Sequence, residues 1–110
     1  MQHEVTQKGD ATIVALVGDV DLASSPIARE VLLKCVASRR SVVVDLSRVT
    51  YIDSSGVASL VESFQRARKA GSRFALAAAS EATLRVLKLA RLDKVFQLYA
   101  TVDDGLAQGL

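Results

Sequence analysis

The sequence predicts an α/β domain built on a mixed, mostly parallel sheet of four to five strands with about four helices. Short β-branched runs alternate with stretches of helical periodicity, and strands separated by helices need crossover connections, which make neighbouring strands parallel. The start of the chain is the exception: two strand-like runs are separated only by Gln7-Lys8-Gly9-Asp10, turn chemistry that pairs them antiparallel. A length of 110 residues, half of them apolar, suits one core, so residues 1–110 are expected to form a single domain.

The elements are expected in this order. Glu4 to Thr6 and Thr12 to Val17 form the opening hairpin. Ser24-Ser25-Pro26 starts a helix that ends near Ser38 and buries Ile27, Ala28, Val31, Leu32, Cys35 and Val36. Val42 to Leu46 is a strand covered on both faces, being apolar except at Asp45. After Ile52 the period changes: Val57, Leu60, Val61, Phe64 and Ala67 make the buried face of a helix running from Ser54 or Ser55 to about Ala70, closed by Gly71 in a left-handed conformation. Arg73 to Ala79 reads as the next strand. Ser80 caps a third helix through Ala90, with Leu84, Leu87 and Val86 facing inward. Val95 to Tyr99 is a final strand or packed extended segment, and Thr101-Val102-Asp103-Asp104 has the capping-box pattern of a terminal helix to about Ala107. With 5% aromatic residues and no Trp, the core is aliphatic.

The stretch with chemistry is Asp53-Ser54-Ser55-Gly56, which sets an acid and two hydroxyls at a helix mouth. The first N–H groups of a helix have no intrahelical partner and carry partial positive charge, so Asp and Ser cap them and an anion there is stabilised. Capping alone explains these residue types, and a phosphate on Ser54 would also suit the position. Gly56 in the first turn costs roughly 0.5–1 kcal/mol relative to Ala. Close approach of a partner backbone is the expected reason, and a tight helix-to-sheet contact is the rival.

Catalysis is not expected. The serines lack a Gly-x-Ser-x-Gly elbow, and the one imidazole, His3, lies near the start of the chain. The extra Ser breaks the Asp-Ser/Thr-Gly spacing of an aspartic protease, and no phosphate-binding glycine loop is present. One His and one Cys far apart make no metal set, and Asp19 and Asp21 shape a turn before the first helix. A receiver domain would need an acidic pair after its first strand and a Lys after its last, and neither is apparent. No cofactor is implied.

Fourteen basic against twelve acidic residues give a net charge of +2, too balanced for a dedicated nucleic-acid surface. Arg66, Arg68, Lys69 and Arg73 form one basic set, and Arg85, Lys88, Arg91 and Lys94 another. They read as solvated faces or as contacts for acidic groups on a protein partner; no aromatics interleave them, against single-stranded nucleic acid. Cys35 reads as a reduced, packed thiol. With no leader pattern and no apolar span, a cytoplasmic location is expected.

Val42-Val43-Val44-Asp45-Leu46 followed by Tyr51-Ile52-Asp53-Ser54-Ser55-Gly56-Val57 resembles the signature of the STAS domain, found in bacterial anti-sigma factor antagonists. Gly18-Asp19-Val20-Asp21 matches a second family element, and the likeness extends through Leu84 to Phe96. The resemblance implies a binding protein whose partner is an anti-sigma factor that is also a serine kinase. The unphosphorylated form would hold that partner and free a sigma factor, and phosphorylation would end the binding. Carried over by position, the phosphoacceptor is Ser54 with Ser55 minor, and the partner-binding set is Asp19, Asp21, Asp53, Ser54, Ser55, Gly56 and Val57. The antagonists usually read Asp-Ser-Ser/Thr-Gly-Leu-Gly where this chain has Gly56-Val57-Ala58. That departure leaves open a second role, as a STAS accessory subunit of a bacterial phospholipid-trafficking ABC transporter.

Overall fold

The computed structural model describes residues 1–109, and its elements follow the sequence alternation. In chain order they are β1 (Gln2–Lys8), β2 (Ala11–Val20), α1 (Ser25–Ala37), β3 (Ser41–Ile52), α2 (Ser54–Lys69), β4 (Phe74–Ala77), α3 (Glu81–Leu89), β5 (Gln97–Tyr99) and α4 (Val102–Gly109). One sheet holds the strands in the order β1-β2-β3-β4-β5, antiparallel at β1/β2 and parallel elsewhere. The opening turn is tighter than the four residues expected. Gln7 pairs with Thr12 and Lys8 with Ala11, which leaves only Gly9 and Asp10 in the loop.

Alternation along the strands divides the core. Val14, Leu16, Val42, Val44, Leu46, Phe74 and Leu76 face α1, α2 and α3, while Ala11, Val43 and Ala77 lie under α4 with Leu106. Val42, Val43 and Val44 are fully buried, as a strand covered on both faces requires. An aromatic trio, Phe64, Phe74 and Phe96, ties α2 to β4 and to the segment before β5, with Phe64 and Phe96 centroids 5.3 Å apart edge to face.

Three expectations are corrected. Ile27 is 49% exposed, because the buried stripe of α1 runs through Ala28, Leu32, Cys35 and Val36 and Ile27 falls outside it. Leu84 lies with Glu81, Arg85, Lys88 and Leu89 along an outward depression, and Thr83 and Leu87 are the buried residues of α3. β3 continues past Leu46 to Ile52. Its polar stretch, Ser47 to Thr50, looks like a loop in sequence, yet Arg48 and Val49 pair with Val17 and Gly18 of β2 and Tyr51 with Asp19, through two register shifts.

Each of the three parallel-crossover helices ends on a residue with positive φ: Arg39 (φ 62) after α1, Gly71 (φ 73) after α2 and Arg91 (φ 60) after α3. After α2 the Ser72 and Gly71 N–H groups donate to the carbonyls of Ala67 and Arg68, and after α3 those of Leu92 and Arg91 donate to Leu87 and Lys88. Gly71 takes this left-handed position without cost, whereas a residue with a Cβ gives up roughly 1–2 kcal/mol. Ala78 does the same at the opposite end of β4.

Candidate functional site

The carboxyl ends of β2 and β3 lie side by side, with Val20 opposite Ile52, and the Asp53 N–H donates to the Val20 carbonyl at 3.2 Å. Both chains then leave the sheet into helices, which brings Asp21 to Ser24 beside the start of α2. Parallel α/β sheets commonly place binding sites at such strand ends.

The first loop is held by its own polar groups. Asp21 Oδ1 accepts the N–H groups of Ala23 and Ser24, each at 3.1 Å, and the Asp21 N–H donates to Ser24 Oγ at 2.9 Å. The Ser24 hydroxyl has the Asp19 carbonyl at 2.9 Å and Asp21 Oδ1 at 3.1 Å as alternative acceptors for its one proton. The Ser24 backbone N–H, then its hydroxyl, hold the Asp21 carboxyl below the usual carboxylate range. Asp19 Oδ1 accepts from the Thr50 hydroxyl at 2.7 Å, joining the ends of β2 and β3.

In the second loop Asp53 is the N-cap of α2: its Oδ1 accepts from Ser55 N–H at 2.9 Å and Gly56 N–H at 3.2 Å. Ser54 and Ser55 then diverge. Ser54 is exposed at the first position of the helix, and no described hydrogen bond engages its hydroxyl. Ser55 is half-buried and lines a groove between α1 and α2 with Ser25, Pro26, Arg29, Ser59 and Glu62. Across that groove Arg29 makes a two-pronged ion pair with Glu62, Nε to Oε1 at 2.8 Å and Nη2 to Oε2 at 2.7 Å.

The expected binding set thus splits by depth. Asp19, Asp21, Asp53, Ser54 and Ser55 are gathered at one surface. Val57, 7% exposed, belongs to the core and supports the site from beneath. Gly56 is buried as well: a Cβ there would lie 2.6 Å from the Val20 carbonyl oxygen, 2.8 Å from Ile52 Cγ1 and 2.9 Å from Val20 Cγ1. Its missing side chain is required by the contact of α2 with the sheet, so internal packing, not a partner's approach, explains the glycine.

Residues not singled out in the sequence complete the surface. Among the described residues six large apolar side chains are strongly exposed, and three of them, Leu22 (75%), Tyr51 (53%) and Ile27 (49%), lie in or next to these two loops. Their exposure beside a polar centre makes this a candidate contact surface. Asp21-Leu22-Ala23-Ser24 carries a local signal for the turn, an Asp three residues before a Ser. The Arg29–Glu62 pair spans 33 residues and leaves no local trace. No Lys or Arg occurs in the loops after β2, β3, β4 and β5, so this pole is acidic. Among the described residues no His, Cys, Asp and Glu side chains converge as a metal set, and no helix is long and apolar enough to cross a membrane.

A family model for the STAS domain matches residues 2–105, from β1 into α4. The chain belongs to the STAS family. Its relatives include the anti-sigma-B factor antagonist of Bacillus subtilis, 26% identical over 103 residues that make up 94% of each chain. The anti-sigma-F factor antagonist RsfB of Mycobacterium tuberculosis is 27% identical over 103 residues, covering 93% of this chain and 84% of RsfB. Among solved structures, an anti-sigma factor antagonist from Mycobacterium paratuberculosis superposes with a TM-score of 0.91 at 29% identity, over 98% of this chain and 92% of that one. The STAS architecture therefore extends through all the elements that build the Ser54 surface.

Proposed function

We propose that this protein is an anti-sigma factor antagonist that binds an anti-sigma factor of the serine-kinase type through the Ser54 pole and is released when Ser54 is phosphorylated. The observation that carries the reading is the placement of Ser54: a solvent-exposed hydroxyl at the mouth of a helix in which Asp53 already holds the N–H groups of Ser55 and Gly56. Two curated relatives that span over nine-tenths of the chain are antagonists, which favours this role over docking on a transporter.

The physics of the switch follows from that placement. A phosphoryl group adds about −1.5 to −2 charges and three acceptor oxygens. Because Asp53 already occupies Ser55 N–H and Gly56 N–H, the phosphate meets a cap that is largely filled and projects toward the partner. It arrives on a pole that carries Asp19, Asp21 and Asp53, so a partner fitted to Leu22, Tyr51 and the neutral hydroxyl meets concentrated charge where it needs close contact. Binding is lost through desolvation and repulsion while the domain itself stays folded.

Incubation with the cognate kinase and ATP, followed by peptide mass spectrometry and calorimetry with the anti-sigma factor, tests the reading. The phosphate is expected on Ser54, and the phosphorylated form is expected to bind at least about thirtyfold more weakly, in line with 2–5 kcal/mol for a buried uncompensated charge. Exclusive labelling of Ser55, or equal affinity of both forms, would reject it.

A further inference from the structure

Charge on this domain is sorted by pole. The loops that lead into the parallel strands carry Arg39 and Arg40 before β3, Arg73 before β4, and Arg91 and Lys94 before β5, against two acids, Asp10 before β2 and Asp93 before β5. α1, α2 and α3 run back against the strands they follow, so their last turns add Lys34, Arg66, Arg68, Lys69 and Lys88 to that same end. Shallow depressions join these segments into one surface: Val36 and Arg39 meet Arg66 and Ala70, and Arg68 and Arg73 meet Phe74 and Gln97. Arg39, Arg68, Lys69, Lys88, Arg91 and Lys94 are exposed and enter no ion pair among the described residues.

Two features separate this pole from an ordinary solvated face. Arg39 and Arg91 occupy left-handed positions that Gly71 fills on α2, so a cation is kept at each against backbone strain that glycine would relieve. Between Lys88 and Arg91 stands Leu89, 81% exposed, on the outward strip of α3 that also carries Leu84 and Arg85. An aliphatic side chain held in water among unpaired cations is complementary to a surface that is anionic outside and apolar just beneath.

We propose that this pole docks on an anionic lipid bilayer, with Leu89 entering the headgroup boundary and Arg39, Arg91 and the neighbouring lysines on lipid phosphates. Cations spread over the ends of three helices suit mobile lipid headgroups, which rearrange to meet them. The absence of exposed aromatics among them and the net charge of +2 disfavour nucleic acid. In this orientation the Ser54 pole faces away from the membrane and stays open to a protein partner.

Sedimentation with vesicles of phosphatidylcholine, alone or with about one third phosphatidylglycerol, tests the docking at near-physiological salt. Wild type is expected to sediment with the anionic vesicles and not with the neutral ones. The Arg39→Gly/Arg91→Gly variant should partition roughly 20- to 30-fold less, at about fivefold per cation near an anionic surface. Its melting temperature should hold or rise, since glycine suits both positions, so weakened docking could not be ascribed to unfolding. Leu89→Ser should weaken partitioning about tenfold, and Leu22→Ser, a comparably exposed leucine on the acidic pole, should leave it unchanged. Equal sedimentation with neutral vesicles, wild-type partitioning of the double variant, an equal loss with Leu22→Ser, or equally tight binding of duplex DNA at the same salt would each overturn the proposal.

Discussion

Gly56 and Val20 touch so closely that a Cβ on Gly56 would lie 2.6 Å from the Val20 carbonyl oxygen. That oxygen also accepts the Asp53 N–H, so it cannot retreat without loosening the start of α2. Helix, cap and strand end are therefore locked through one backbone atom, and the position of Ser54 depends on it.

Gly56→Ala is expected to destabilise the domain by about 1–3 kcal/mol, the range of overpacking in a well-filled core. The helix propensity gained, about 1 kcal/mol, is too small to offset the clash with backbone. Denaturant unfolding checks this. An unchanged or raised midpoint would mean that α2 can shift outward freely.

Asp53→Ala should cost about 0.5–2 kcal/mol, because two N–H groups of α2 lose their acceptor. Asp53→Asn should recover most of that loss, since an amide oxygen caps nearly as well. If both variants unfold alike, the carboxylate matters for its charge and not for its cap.

The alternation that defines the α/β fold was legible because apolar period and turn residues agree with the final pairing at nearly every element. Asp53, Ser54 and Ser55 were legible for the same reason: the switch from strand to helix falls on them. Sequence reading failed where tertiary contact overrides local pattern. Ser47 to Thr50 look like loop residues, but β2 pairs with Arg48 and Val49 and resumes at Tyr51, so the strand runs on through two register shifts. Ile27 fits the helical period of α1, yet the buried stripe runs through its neighbour Ala28 and leaves Ile27 outside it. Gly56 allowed two readings, and only the position of Val20, 36 residues earlier in the chain, decides between them. Leu22 and Tyr51 carry no signature as contact residues, because their exposure results from where the strands end.

Ser54→Asp should alter the stability of the domain by no more than about 0.5 kcal/mol, as expected of an exposed substitution. A charge at a helix N-terminus is favourable in isolation, but Asp53 has already taken that advantage and Asp19 and Asp21 stand nearby. Thermal unfolding with and without salt measures the balance. A clear stabilisation that persists in salt would show that residue 54 reaches a backbone donor after all, and would place the phosphate inside the cap.

Arg29 and Glu62 close the groove below Ser55, and their mutual hydrogen bonds hold Glu62 below the usual carboxylate range and raise Arg29. Asp21 is held low by Ser24 in the neighbouring loop. A carboxyl whose folded pKa lies below its unfolded value contributes stability that is complete above the unfolded value, 4.5 for Glu62 and 3.8 for Asp21, and is lost as pH falls through the folded one. Stability should therefore fall on acidification below about pH 4.5, and Glu62→Gln should flatten the upper part of that fall. The Arg29→Met/Glu62→Gln double variant should lose less than the sum of the single changes, and the coupling should shrink in salt because the pair is partly exposed. Carboxyl titration by NMR and a double-mutant cycle measure these effects directly. A Glu62 midpoint at its unfolded value, with additive single effects, would show that the two helices meet through packing of Ser25, Ser55 and Ser59 and not through the ion pair.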